Sequence, residues 1–92
     1  MKTVRLIIGR DVLLEIEFNQ VELASQTLNE FLEEIDGLSG ADESIELLLD
    51  INNKFLEPAT IVDSILAEGL LKKLTRMLNA SVMNPGAMYE VT

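Results

Sequence analysis

The 92-residue chain has no Cys, no His and no Trp. Without Cys there is no disulfide scaffold and no thiolate metal site, a composition that accords with a reducing cytosol. Without His there is no imidazole base and no imidazole ligand. Ser25, Ser39, Ser44, Ser64 and Ser81 therefore lack their usual activating partner, and no recognisable serine motif stands near Lys72 or Lys73. Neither common glycine-rich phosphate loop is present. The run Asp50-Ile51-Asn52-Asn53-Lys54 begins like a calcium loop but puts Lys54 where the third oxygen ligand belongs. Asp36-Gly37-Leu38-Ser39 lacks the alternating spacing as well. We therefore expect no enzyme, no catalytic residue, no cofactor and no bound metal.

Long apolar runs are missing too. Leu6-Ile7-Ile8, after Lys2 and Arg5, is too short for the apolar centre of a signal peptide, and nothing approaches the ~20 residues of a membrane span. The expectation is a soluble cytoplasmic protein without membrane contact, in which the sequon Asn79-Ala80-Ser81 is a chance match.

The most informative absence is positive charge. Between Asp11 and Asn53 stand twelve acidic side chains and no Lys or Arg, so the formal net charge of −9 divides into −12 there and +3 elsewhere. Direct nucleic-acid binding is disfavoured by this balance. Three readings remain: a solvated surface, a docking face for a basic protein, or a mimic of DNA phosphates that occupies a nucleic-acid-handling enzyme. In size and charge the chain resembles the small acidic phage inhibitors of uracil-DNA glycosylase, and Glu43-Ser44-Ile45 resembles the strand tripeptide they use. That resemblance covers three residues and implies a DNA-mimic inhibitor. Asp63-Ser64-Ile65 resembles the prosthetic-arm site of acyl carrier proteins, whose four-helix fold conflicts with the strand-like amino terminus here.

What is present is enough apolar residue, 48% of the chain, for one ordered α+β domain over residues 1–92. Val4, Leu6 and Ile8 alternate with Thr3, Arg5 and Ile7, and Val12, Leu14, Ile16 and Phe18 alternate with Leu13, Glu15 and Glu17. A two-residue Gly9-Arg10 loop would mix these faces. A three-residue loop Gly9-Arg10-Asp11, with Asp11 left-handed, pairs Ile8 with Val12, Leu6 with Leu14, Val4 with Ile16 and Arg5 with Glu15. Asn19 and Glu22 then form a capping box, with Phe18 able to staple onto Leu23. Val21, Ala24, Leu28, Phe31, Leu32 and Ile35 share a helical stripe that Gly37 terminates.

Ile45, Leu47, Leu49 and Ile51 alternate and read as a third strand, with a short helix using Ile45, Leu48 and Leu49 as the alternative. Pro58 suits a first helical position, and Ala59 to about Val82 reads as a long helix in which Gly69 marks a bend, a break or a close contact. Asn84-Pro85-Gly86-Ala87 reads as a type II turn before a possible short strand at Tyr89 and Val91. The expected order is β-β-α-β-α with a possible last strand, helices packed on a mixed sheet.

The function expected is a non-catalytic interaction or assembly module. Glu30, Glu33, Glu34 and Asp36 would meet a basic protein partner, since Glu33, Glu34 and Asp36 stand at the negative end of a helix dipole where stability alone would not put them. Ile7, Leu13 and Leu48 would form an apolar patch on the open side of the sheet and drive a homodimer, unless the second helix covers that side within one chain. Lys72, Lys73 and Arg76 read as favourable charges late in a helix, or as a positive pole for another copy.

Overall fold

Strict alternation over the first eighteen residues produces a hairpin of β1 (Lys2–Ile8) and β2 (Asp11–Phe18) in the computed structural model, which describes residues 1–39, 42–56 and 64–92. Val4 pairs with Ile16, Leu6 with Leu14 and Arg5 with Glu15, as the side-chain pattern requires. The loop is different from the expected one. It has two residues, with Gly9 at φ +58, and Asp11 pairs directly with Ile8. Positive φ at the first loop position alone is the II′ arrangement that suits the twist of a hairpin. The register then shifts between Leu6 and Ile7, so that Ile7 faces Val12 and Leu13 becomes the extra residue of a β-bulge. A two-residue loop does mix the faces, and the bulge restores them.

Asn19 and Glu22 form the reciprocal cap, each backbone N–H donating to the other side chain at 2.9 Å. It opens a single 3-10 turn, Glu22–Ala24, rather than the main helix. Ser25 then caps α1 (Gln26–Ile35), its Oγ accepting from the Leu28 N–H at 3.2 Å. Leu28, Phe31, Leu32 and Ile35 are buried, and Gly37 leaves the helix at φ +84.

Residues expected as a third strand are instead helical. α2 spans Asp42–Leu56, and its buried side Ser44, Leu48, Ile51 and Phe55 has 4-3-4 spacing. Asp42 and Glu43 meet the positive end of its dipole and Lys54 the negative end, which favours the helix further. Leu48 is consequently fully buried, so its place in an exposed sheet patch is withdrawn. Glu43-Ser44-Ile45 lies in the first turns of this helix, not in a strand.

The last helix, α3, covers Ser64–Met83; the expected start at Pro58 and Ala59 lies outside the described residues, as does Asp63 of the carrier-like tripeptide. Gly69 is an ordinary helical position, and among the described residues nothing stands within 4 Å of where its Cβ would be. In the Asn84–Ala87 turn the Ala87 N–H donates to the Asn84 carbonyl at 3.0 Å, and Gly86 has no positive φ, so the turn is not type II. β3 (Met88–Val91) does form, antiparallel to β1, giving the order β2-β1-β3 in a wholly antiparallel rather than mixed sheet.

Inward-facing Val4, Leu6, Ile16, Phe18 and Tyr89 meet α1 and α3, and α2 packs on those two helices to complete the core. Both sheet edges carry partners. Gly37 N–H donates to Tyr89 O and Tyr89 N–H to Leu38 O, both at 2.8 Å, and the Val91 N–H donates to the Asp36 carboxylate at 3.0 Å. On the other edge the Lys73 ammonium donates to Glu17 O at 2.7 Å. It also meets the 5%-exposed Glu22 carboxylate at 2.7 Å and lies 5.3 Å from the Phe18 ring centroid.

Gly69→Ala should raise stability by about 0.5–1 kcal/mol, because it removes unfolded-state freedom without a clash; a lower urea midpoint would show otherwise. Lys73→Met should cost about 2–3 kcal/mol, since it leaves the buried Glu22 carboxylate without its counter-charge and only the Asn19 N–H as partner. Lys72→Met, which breaks only an exposed 3.8 Å pair with Glu68, should cost under about 0.5 kcal/mol in the same titration.

Candidate functional site

With its apolar stripe on the core, α1 turns Glu30, Glu33 and Glu34 outward, all exposed. Successive helical residues lie about 100° apart, so Glu30 and Glu34 share one flank and Glu33 lies away from it. That flank borders α2. Thr27, Glu30, Phe31 and Glu34 of α1 line a cleft with Leu47, Asp50, Ile51 and Lys54 of α2. The cleft holds only ≈ 40 Å³, far below the roughly 300 Å³ at which small-molecule pockets begin. An open depression formed by Leu38, Glu43, Glu46, Leu47, Asp50 and Asn53 adjoins it, with Leu47 and Asp50 common to both.

Five carboxylates thus border one half-buried leucine, Leu47. Among the described residues Lys54 is the one basic group lining either concavity, and it pairs with Asp50 at 3.3 Å on exposed side chains. Glu30 accepts from the Gln26 amide at 3.0 Å. No set of three or more acidic side chains among the described residues converges closely enough to hold a metal ion.

The expected acidic site is therefore split and enlarged. Glu30 and Glu34 belong to the groove, Glu33 projects elsewhere, and Asp36 is occupied with the β3 edge. Glu43, Glu46 and Asp50 enter only because α2 is helical, and the acidic first turn followed by Lys54 in the last turn was the signal for that.

The second candidate surface is the outer side of the sheet. Ile7 pairs with Val12 on one side and Met88 on the other, so the three make a row across all three strands. Val12 and Met88 are 52% and 54% exposed, Leu13 at the bulge 40%, and no described helix covers them. Ile7 and Leu13 stay in the patch, Val12 and Met88 join it, and Leu48 leaves it. The next row back is Glu15, Arg5 and Glu90, with an Arg5–Glu15 ion pair of 2.8 Å.

Groups with potential chemistry are held inside. Ser81 and Tyr89 are buried, and their two hydroxyl protons are shared among the contacts they make with each other and with the Met77 carbonyl. Burial pushes the Tyr89 phenol above its ordinary pKa of 10.0, and the Ser81 hydrogen bond offsets this only in part. Lys73 is engaged by Glu22 and Glu17. Among the described residues no helix is long and apolar enough to cross a membrane. Comparison with protein-family models, curated proteins and solved structures finds no match to this chain.

A phenol whose pKa is raised by folding contributes stability that is complete below its unfolded value and is lost as pH rises through the folded value. Wild-type stability should accordingly fall above about pH 10. Tyr89→Phe should cost about 1–2 kcal/mol at neutral pH through the lost hydroxyl bonds and show a shallower alkaline decline. Urea unfolding across the alkaline range measures both, and equal slopes for the two proteins would contradict the assignment.

Proposed function

We propose that the chain is a non-catalytic, self-associating interaction module of the cytoplasm that docks a basic protein partner on the α1–α2 face. The observation that carries this reading is the gathering of Glu30, Glu34, Glu43, Glu46 and Asp50 around Leu47 by two neighbouring helices. Placing so many like charges together lowers stability, and Glu33 and Glu34 add an unfavourable contact with the negative end of the α1 dipole, whose last turn holds no basic residue. A partner carrying Lys or Arg around one apolar side chain would meet both the acidic rim and the leucine at its centre. Its approach would be accelerated by the field of the whole face. The burial of Ser81, Tyr89 and Glu22 supports a non-catalytic role, because the groups best suited to chemistry serve the core.

The test pairs capture with point variants. A protein captured from host lysate is identified, purified and titrated against wild type, against Glu33→Gln, and against the triple variant Glu30→Gln, Glu34→Gln, Asp50→Asn. The triple variant should keep its stability and lose at least about tenfold in affinity, mainly through slower association. Glu33→Gln should bind nearly as wild type, and added salt should weaken wild-type binding. Equal binding by all three proteins would end the docking reading. Release of the partner by competing duplex DNA would transfer the same face to the DNA-mimic reading.

A further inference from the structure

We infer that the hairpin-tip end of the outer sheet face is a two-fold contact with a second copy of this chain. The inference rests on the self-association in the proposed function and assigns its surface and geometry. Strand-to-strand pairing is the obvious alternative for an open sheet, and this fold obstructs it. The β3 edge is occupied by Gly37, Leu38 and the Asp36 carboxylate. Thr3 exchanges both backbone hydrogen bonds with Thr92, so its partner Glu17 directs its backbone away from β1, where Lys73 takes the carbonyl. The bulge at Leu13 and the like charges of Glu15 and Glu17 further deter a second β2. What stays open is the face.

The apolar row is what such a copy would cover. Val12, Leu13 and Met88 are each at least 40% exposed on this face, and half-buried Ile7 stands between Val12 and Met88. Contiguous exposed apolar side chains of this kind mark an interaction surface.

Charge then selects the symmetry. A two-fold axis along the strands would lay β2 of one copy over β3 of the other, stacking Glu15 on the partner's equivalent of Glu90 and Arg5 on itself. A two-fold axis along the Val12-Ile7-Met88 row instead stacks the apolar row on itself. It also carries the hairpin tip of each copy past the row, so that Arg10 lies above the Glu15 position of the other. Arg10 and Glu15 are both exposed and lie on opposite sides of the row, as this exchange requires. The helices sit behind the other sheet face, so such a dimer leaves both acidic grooves open.

Sedimentation equilibrium at high micromolar concentration tests the assignment on four proteins, with circular dichroism to verify folding. Wild type should be dimeric and Met88→Glu a folded monomer. Arg10→Glu should weaken the dimer about tenfold, and adding Glu15→Arg to Arg10→Glu should restore it. A monomeric wild type, or a dimer that Met88→Glu and Arg10→Glu both leave intact, would overturn the inference. Should Met88→Glu fail to fold, the Arg10→Glu pair of variants decides alone. Partner titration of the folded monomer keeps the two hypotheses apart: retained docking on monomeric protein upholds the acidic face whatever the fate of the dimer.

Discussion

Leu13 is the residue on which the arrangement of this molecule turns. A sheet with one buried face tolerates no slip of one residue, because every side chain would change sides. A two-residue loop closed by Gly9 would impose that slip on β2, and the bulge at Leu13 absorbs it. Everything inward of the sheet depends on the result. Val4 opposes Ile16, Leu6 lies between Leu14 and Tyr89, and the core of three helices closes over them. The outward side carries its mark as well: the two-residue loop sets Val12 opposite Ile7 and in line with Met88, and the bulge leaves Leu13 as the extra residue beside that row.

Charge is partitioned by the fold as sharply as hydrophobicity. Where an acid has a structural partner, the base comes from outside the acidic stretch: Arg5 for Glu15, Lys54 for Asp50 and Lys73 for Glu22. Lys73 contributes most among these, because its partner is nearly fully buried and its ammonium also closes a sheet-edge carbonyl. Asp36 is satisfied by a backbone N–H. The carboxylates of the α1–α2 face are exposed and have no comparable role in the core: Asp50 pairs with Lys54, Glu30 with the Gln26 amide, and Glu43 favours the first turn of α2.

The legible parts of this fold were those in which local chemistry and burial agree. The pairs Val4–Ile16 and Arg5–Glu15, the reciprocal Asn19–Glu22 cap, the Leu28-Phe31-Leu32-Ile35 part of the α1 stripe and the final strand followed from side-chain pattern alone. Val21 and Ala24, expected on that stripe, are instead exposed ahead of a helix that Ser25 caps. The loop did not, because a bulge repairs a register that two-residue loops otherwise spoil, and no residue type marks a bulge when the extra residue is Leu. The segment from Ile45 to Ile51 was ambiguous because seven residues with five apolar side chains satisfy both periods. Only extension to Phe55 at 4-3-4 spacing shows the helix. That one element moved Leu48 into the core and Glu43, Glu46 and Asp50 onto the acidic face, so the candidate site was half visible in sequence for a single reason.

The two surfaces so defined lie on opposite sides of one small body, with principal extents of 38 × 24 × 18 Å. The apolar row belongs to the outer side of the sheet, while the groove belongs to helices packed behind its inner side. Contact at one surface therefore need not obstruct the other. In the proposed reading a doubled module gains residence, because a second engagement by a linked copy is intramolecular and needs no new contact. A basic partner presenting repeated sites would exploit this, whereas a partner with one site would gain nothing from the dimer. In that reading the fold thus separates affinity, assigned to the carboxylates around Leu47, from valency, assigned to the apolar row at the hairpin end of the sheet.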